Sequence, residues 1–219
     1  MDEIKKETKQ LKLWKGEFGK EYTDQNTQTL EEIEEMYFKR VGYARSEIYS
    51  EFIGNLNNSL QILEVGCNIG NQLLCLQQMG FTSLYGIDPQ EYALEKAKER
   101  TQNITLKKGS AFSIPYEDDF FDLVFTSGVL IHIAPENISD ALKEIYRCSK
   151  RYIYGYEYFE EESTEIQYHG KKKALWKSDF AKLYLNSFNN LILVKEKRYP
   201  FLENEKLIDT SFLLEKKFG

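Results

Sequence analysis

The 219-residue sequence is poor in the residues that build cross-linked or metal-stapled proteins: three cysteines, two histidines, four prolines and two tryptophans. Cys67, Cys75 and Cys148 form no C-x-x-C pair and are odd in number, which excludes a disulfide framework and a zinc knuckle. With His132 and His169 alone, a histidine-rich cluster is excluded too, and no metal is expected. No run approaches the ~18 apolar residues of a membrane span, so no membrane partner is expected. The opening MDEIKKETKQLKLW lacks the apolar stretch of a secretory signal and carries acids, which makes the cytoplasm the expected location. Positive charge is also short, with 29 Lys and Arg against 35 Asp and Glu. Nucleic-acid binding needs clustered positive charge, so no nucleic-acid partner is expected.

What is present is an ordinary folding composition, 42% hydrophobic and 29% charged, with an aromatic fraction of 14%. The length suits one domain with an insertion. Residues 1–27 are polar with scattered aromatics (Trp14, Phe18, Tyr22) and read as an arm or short helices. From Thr29, a capping signature with Glu32 three residues on leads into apolar residues at helical spacing, with a break near Gly42. Residues 1–58 are therefore expected to form a helical arm or lid over a core spanning 59–219. In that core, strands at 61–65, 83–88, 103–109, 121–127 and 151–159 alternate with helices near 71–79, 89–100 and 137–149. Such alternation gives a parallel sheet with helices on both faces. A charged insertion (160–188) ending in a helix precedes two β-rich runs, 191–199 and 207–217, expected to close as an antiparallel hairpin on the sheet's edge.

The segment with the strongest chemical content is LEVGCNIG, residues 63–70. A strand ending in the acid Glu64, then Gly66, Gly70 and a helix, makes a tight turn that lets backbone approach a ligand and presents a helix N-terminus to it. The second strand ends at Asp88, where a carboxylate can accept hydrogen bonds from a ribose diol; it can also cap the helix beginning at Pro89. A dinucleotide fingerprint needs a G-x-G-x-x-G run, which is absent, so NAD is disfavoured.

With YGIDP and GSAFSIPYEDDFFDLVFTSGVLIHI, this motif resembles the class I S-adenosylmethionine-dependent methyltransferases over roughly residues 60–158. The resemblance implies a Rossmann-like α/β fold: a mostly parallel seven-stranded sheet with an antiparallel last strand, and S-adenosyl-L-methionine as cofactor. It implies that Gly66 and its neighbours, Cys67 among them, pass under the methionine part. Asp88, next to Pro89, would hold the ribose, Ala111 and Phe112 would border the adenine, and Ser127 would face the methionine amino group. Asn68 stands where the family usually has glycine, and asparagine tolerates a left-handed backbone. Ser110 replaces a frequent aspartate. More narrowly, WKGEFGKEYTDQN (14–26), SGVLIHI and YHG with LWKSDF look like the methylases associated with pseudaminic acid biosynthesis, with Gln25 and His169 at positions where that group tends to have arginine. That likeness implies a small, sugar-derived acceptor from nucleotide-sugar or nonulosonic-acid chemistry and a role in surface glycan biosynthesis.

Methyl transfer from a sulfonium is an in-line displacement, so the protein's task is to align the acceptor, exclude water and remove a proton. His132, just after the fourth strand, is the first candidate base, with a packed histidine as the alternative. Glu157 in the fifth strand is the second, with an exposed edge carboxylate as its alternative. Tyr22 is expected to fold over the cofactor, while Trp14 and Phe18 read more readily as a staple pinning the arm. Tyr156 and Tyr158 around Glu157, together with Tyr168 and His169 in the insertion, are the candidate acceptor contacts, and these three tyrosines with Tyr22 and Phe112 are expected to wall one pocket. Lys171 to Lys173 would draw an anionic acceptor, or form a solvated loop. Two other functions fit the same residues, a catalytically silent cofactor-binding partner module and a methyltransferase acting on a protein or tRNA.

Overall fold

The computed structural model describes residues 7–168 and 170–217. Two short helices come first, α1 (Lys9–Lys15) and α2 (Glu17–Gln25). Thr8 caps α1, its Oγ1 accepting from Leu11 N at 3.0 Å. The tight turn between them depends on Gly19, where a Cβ would lie 1.8 Å from the Trp14 carbonyl oxygen. Next come α3 (Leu30–Val41) and α4 (Arg45–Ile53). The Thr29–Glu32 capping box forms as expected, and Gly42, left-handed at φ 78°, supplies the break.

The core then follows in the expected alternation: β1 (Gln61–Val65), α5 (Asn71–Gln78), β2 (Ser83–Asp88), α6 (Glu91–Arg100), β3 (Ile104–Lys108) and β4 (Phe121–Ser127). A short 3-10 turn at Leu130–His132 leads to α7 (Pro135–Cys148) and β5 (Ser149–Tyr158). The chain closes with β6 (Thr164–Tyr168), β7 (Lys171–Lys177), α8 (Phe180–Ser187), β8 (Leu191–Pro200) and β9 (Ile208–Lys216).

The seven-stranded sheet has the order β3-β2-β1-β4-β5-β9-β8. Strands β1 to β5 are parallel, and β9 runs antiparallel to both its neighbours. The hairpin of β8 and β9 therefore closes the sheet's edge as expected, with the antiparallel last strand β9 inside and β8 outermost. Burial explains the order: Asp209 to Leu214 of β9 are all buried, whereas β8 is buried only at Leu191 and Tyr199, and its half-buried Lys195 and Lys197 pair with Glu51, charges of the kind that protect a sheet edge. The charged stretch after β5 is not a plain loop; β6 and β7 pair as a separate antiparallel hairpin.

Each sheet face has its own core. On one, Ala141, Leu142 and Ile145 of α7 and Phe180 and Tyr184 of α8 pack on Leu63, Val124 and Ile153. On the other, α3 and α4 supply Ile33, Tyr37, Ile48, Tyr49 and Phe52 beside Leu73 of α5 and Leu94 of α6. Helices α3 and α4 are thus a layer of the sandwich. Only α1 and α2, whose buried residues are Gly19 and Thr23 alone, lie as a strap above the strand ends. Among the described residues, no helix is long and apolar enough to cross a membrane, and no group of His, Cys, Asp or Glu could hold a metal ion.

Candidate active site

The carboxyl ends of β1, β2, β3 and β4 and the strap enclose a cleft of about 180 Å³. Its floor is the loop after β1. Gly66 N and Cys67 N both donate to Ile87 O, at 2.8 and 2.9 Å, which ties this loop to β2. Gly66 adopts φ 77°, and a Cβ there would meet Val129 Cγ2 at 2.6 Å, so only glycine lets the loops after β1 and β4 approach this closely. Asn68 takes the left-handed conformation at φ 47° that its residue type tolerates.

Asp88 ends β2 with 8% of its surface exposed. Its Oδ2 accepts from Asn68 N at 2.9 Å and its Oδ1 from Gln90 N at 2.8 Å. Burial raises its pKa from 3.8 to about 6, against the pull of these two N–H groups. Each oxygen keeps a lone pair for a further donor. Both candidate roles, the turn cap and the diol acceptor, are therefore open to one side chain.

Glu64 is buried beneath the cleft; burial holds its carboxyl well above the usual range, and its Oε2 has no hydrogen-bond partner among the described residues. Cys67 is likewise buried, and burial pushes its thiol far up, as befits an inert packing residue. Beyond β3, Ala111 and Phe112 line the cleft in a turn closed by Ser110–Ser113 backbone bonds, with Ser110 Oγ accepting from Phe112 N at 3.3 Å.

At the end of β4, Ser127 Oγ accepts from Arg45 Nη2 at 3.1 Å. Arg45 is fully buried in α4, with its guanidinium 4.1, 4.3 and 4.9 Å from the ring centres of Tyr49, Tyr156 and Tyr37. It also donates to Gln72 Oε1 at 2.7 Å, and Gln72 lines the cleft as Ser127 does. Sequence reasoning missed Arg45, because nothing local marks a helical arginine as the support of a strand end 82 residues away.

His132 lines the cleft on the 3-10 turn. Its Nδ1 lies 2.8 Å from the carbonyl oxygen of Ala174 in β7. A carbonyl only accepts, so Nδ1 carries the hydrogen of the neutral ring and Nε2 the lone pair. The indole of Trp14 rests against it, ring centroids 4.5 Å apart.

Glu157 does not line the cleft. It projects from β5 to the opposite side of the β4 loop, fully buried, where its carboxylate accepts from Val129 N, Leu130 N and Ile131 N at 3.2, 3.3 and 3.4 Å. The expected second base is instead the clamp that shapes the turn carrying His132. Burial raises its pKa from 4.5 to about 7.

The expected aromatic wall is also divided. Tyr22 and Phe112 line the cleft. Tyr156 and Tyr158 share the other face of β5, where strand alternation puts them beside Tyr37 and Phe201 respectively. Trp14, read as a staple, joins the cleft in their place. Pro89 lines it as well, whereas Gly70 stands just behind as the left-handed start of α5. His169 and the side chains of Tyr168 and Lys171 to Lys173 lie outside the described residues.

The strap is attached at several points. Gln90 Nε2 donates to the carbonyls of Trp14, Lys15 and Gly16 at 3.3, 3.1 and 3.0 Å. Asn68 Nδ2 reaches Thr23 Oγ1 at 3.4 Å, and Asn71 Nδ2 reaches Asn26 O at 3.2 Å.

Residues 63–152 match the family described as Methyltransferase domain, a segment shorter than half the chain. An uncharacterized methyltransferase of Staphylococcus carnosus (strain TM300) is 36% identical over 97 residues, covering 43% of this chain and 45% of that protein. The chain thus spans less than half the length of the curated relatives it matches. Among solved structures, the [4+2]-cyclase SpnF overlays with a TM-score of 0.63 at 15% identity, covering 80% of each chain. The magnesium protoporphyrin IX methyltransferase of Synechocystis PCC 6803, solved with bound SAH, overlays with a TM-score of 0.58 at 17% identity, covering 75% of this chain and 77% of that one. At these identities the likeness is one of fold. The ends of strands β1 to β4, which help enclose the cleft, fall within the segment that matches the methyltransferase-domain family, and the chain has the Rossmann-like fold of the methyltransferases it overlays.

Proposed function

We propose that the protein is an S-adenosylmethionine-dependent methyltransferase acting on an oxygen or nitrogen of a small, sugar-derived acceptor. The observation that carries this reading is the convergence on one cleft of the glycine loop at Gly66, the carboxylate of Asp88, the hydroxyl of Ser127 and the imidazole of His132. The fit to the cofactor is supported by atoms the protein leaves unmet: Glu64 Oε2, Asn68 Oδ1 and Asn71 Oδ1 are buried at the cleft without hydrogen-bond partners among the described residues. A ligand rich in N–H and O–H donors answers them.

When bound, S-adenosylmethionine supplies an electrophilic methyl group on a sulfonium centre. Asp88 would accept from the ribose hydroxyls, and Ala111 and Phe112 would border the adenine. Ser127 and Gln72, both held by Arg45, would receive the amino-acid end. Trp14 and Tyr22, which line the cleft from the strap, would lie near the cation and keep water out. His132 Nε2 takes the proton that the acceptor hydroxyl or ammonium releases. The imidazolium so formed keeps its Nδ1–H on the Ala174 carbonyl, which stabilises the charge. Glu157 and Arg45 touch neither ligand and act as positioning residues.

The test is titration calorimetry with S-adenosylhomocysteine, followed by transfer of labelled methyl from S-adenosylmethionine to nucleotide sugars, sugar acids, amines, protein and tRNA. Binding of the product, together with transfer to a sugar derivative, is the expected result. No binding at millimolar ligand would sink the cofactor assignment, and transfer to protein or tRNA alone would replace the acceptor class.

A further inference from the structure

The residue after His132 belongs to two cavities. Ile133 lines the cofactor cleft and also a second hollow of about 130 Å³ between α7, β7 and α8. Ile133, Trp176, Ser178 and Phe180, all buried, form the floor of this hollow. Ile138 and Leu183, both half-buried, and the exposed Ser163 stand at its mouth. Strand β7 serves both cavities, since its Ala174 carbonyl oxygen lies 2.8 Å from His132 Nδ1 and Trp176, two residues on, lines the hollow.

The lining says what the hollow can take. None of the residues around it is charged, so a charged group would lose its water there without gaining a partner. An apolar cavity of roughly 150 Å³ accepts one benzene-sized ring, and this hollow is of that order. Trp176 offers an aromatic surface on which a second ring packs edge-on or offset. One polar demand remains. Ser178 is 6% exposed, yet its hydroxyl makes no hydrogen bond among the described residues. A nearly buried hydroxyl requires a partner, and an uncharged oxygen on the ring supplies one.

Resting on the methyltransferase reading, we propose that this hollow is an acceptor subsite for a neutral aromatic ring that bears one oxygen. A sugar-derived acceptor carries that ring as its aglycone. The ring lies against Trp176, the oxygen that joins it to the sugar accepts from the Ser178 hydroxyl, and the sugar with the atom to be methylated stands on the His132 side of Ile133. The aglycone is held by apolar burial and one hydrogen bond, so a sugar without it binds poorly.

The protein saturated with S-adenosylhomocysteine is titrated by calorimetry with phenyl β-glucoside and with methyl β-glucoside. The phenyl compound is expected to bind about tenfold or more tightly, as burial of one ring implies. Ile138→Trp, which fills the mouth, is expected to erase that difference while S-adenosylhomocysteine affinity stays within about twofold of wild type. Ser178→Ala is expected to weaken the phenyl compound about three- to tenfold and leave the methyl compound unchanged. Should Ile138→Trp fail to fold, Ser178→Ala, which removes only a hydroxyl, must still show its selective loss. The chain has two histidines, so the Cε1–H resonance of His132 is readily assigned, and it is expected to shift when phenyl β-glucoside binds. Equal affinity for the two glucosides, no binding of either while the cofactor product binds, or a phenyl preference that survives in folded Ile138→Trp each overturns the proposal. A bound ring that leaves the His132 resonance unmoved would separate the hollow from the acceptor and overturn it too. Failure of the wild type to bind S-adenosylhomocysteine strikes the methyltransferase reading itself.

Discussion

The two halves of the site are built by different rules. The cofactor half comes from consecutive β–loop–α units, so Gly66, Asp88 and Ala111 reach one place because three neighbouring parallel strands end on the same edge of the sheet. The half that supports it is assembled from α4, β4, β5 and β9, and its contacts join residues such as Arg45 and Ser127, 82 positions apart, and Tyr156 and Asp209, 53 positions apart. A half made from local turns tolerates little change in any one loop. A half made from distant elements depends on how the helices dock on the sheet.

The comparison is tested most severely by His132→Ala, which removes the proposed base while leaving the cofactor loops intact. Turnover is expected to fall about 10² to 10⁴-fold, with S-adenosylhomocysteine affinity within about threefold of wild type. A loss of affinity equal to the loss of rate would mean that the two halves are not separable. Next in size is Asp88→Ala. Losing a charged acceptor for two ribose hydroxyls is expected to weaken S-adenosylhomocysteine about 10 to 100-fold in calorimetry. An unchanged affinity would reduce Asp88 to a turn cap.

Glu157→Gln sharpens the boundary between base and clamp. An amide cannot accept from three N–H groups as a carboxylate does, so stability is expected to drop by about 1 to 3 kcal/mol in denaturant melts. Turnover measured well below the melting temperature is expected to change far less than in His132→Ala. An effect on rate as large as that of the histidine variant would restore Glu157 as a base.

Acidity acts on the buried carboxyls of the molecule in one sense. Burial raises Asp88 and Asp209 from 3.8 to about 6, and Glu157 from 4.5 to about 7. In each case the folded protein holds the proton more tightly than the unfolded chain. Unfolding therefore releases protons between the lower and upper values, and stability falls as pH rises through that window. The ligand-free protein is expected to melt at higher temperature as pH drops from about 7.5 toward about 5.5. Glu51, lowered by Lys197 and Lys195, acts in the opposite sense, with an effect confined to more acid conditions. Over the same range, protonation of Asp88 weakens the ribose contact, so the upward shift in melting temperature caused by S-adenosylhomocysteine is expected to shrink. Curves that move together would mean that Asp88 ionises as freely as an exposed carboxyl.

The smallest effect is expected from Gln90→Ala, which frees the strap from the ribose turn. Stopped-flow release of S-adenosylhomocysteine is expected to quicken about two- to fivefold, since three shared, partly exposed hydrogen bonds to one amide are each worth little. A rate left unchanged would mean that the strap's hold lies in Asn68 and Asn71 instead.

These results also mark what the linear sequence can reveal. Alternation of strands and helices, the Thr29 cap and the left-handed Asn68 are local properties, and each appears where sequence places it. The position of β9 depends on which of two hydrophobic runs buries both faces, a property of the assembled sheet. Strand alternation alone turns Glu157 away from Tyr156 and Tyr158, but which face meets the cleft depends on helices that sequence cannot dock. The β6–β7 hairpin carries few apolar residues and reads as a charged loop, yet its Ala174 carbonyl sets the tautomer of His132. Arg45 and Asp209 look like surface charges until the tyrosines around them are in place.

The meeting of Trp14 and His132 gives the protein an optical gauge of its own. The chain has two tryptophans, and Trp176 lies on the hairpin, so Trp176→Phe leaves a single indole on the strap. A protonated imidazole quenches indole emission far more strongly than a neutral one, and 4.5 Å between ring centroids is within range of that quenching. In such a protein the emission intensity follows the charge of His132 while the strap is shut and ceases to follow it when the strap lifts. Proton transfer and cofactor exchange can then be timed in the same cuvette without a label.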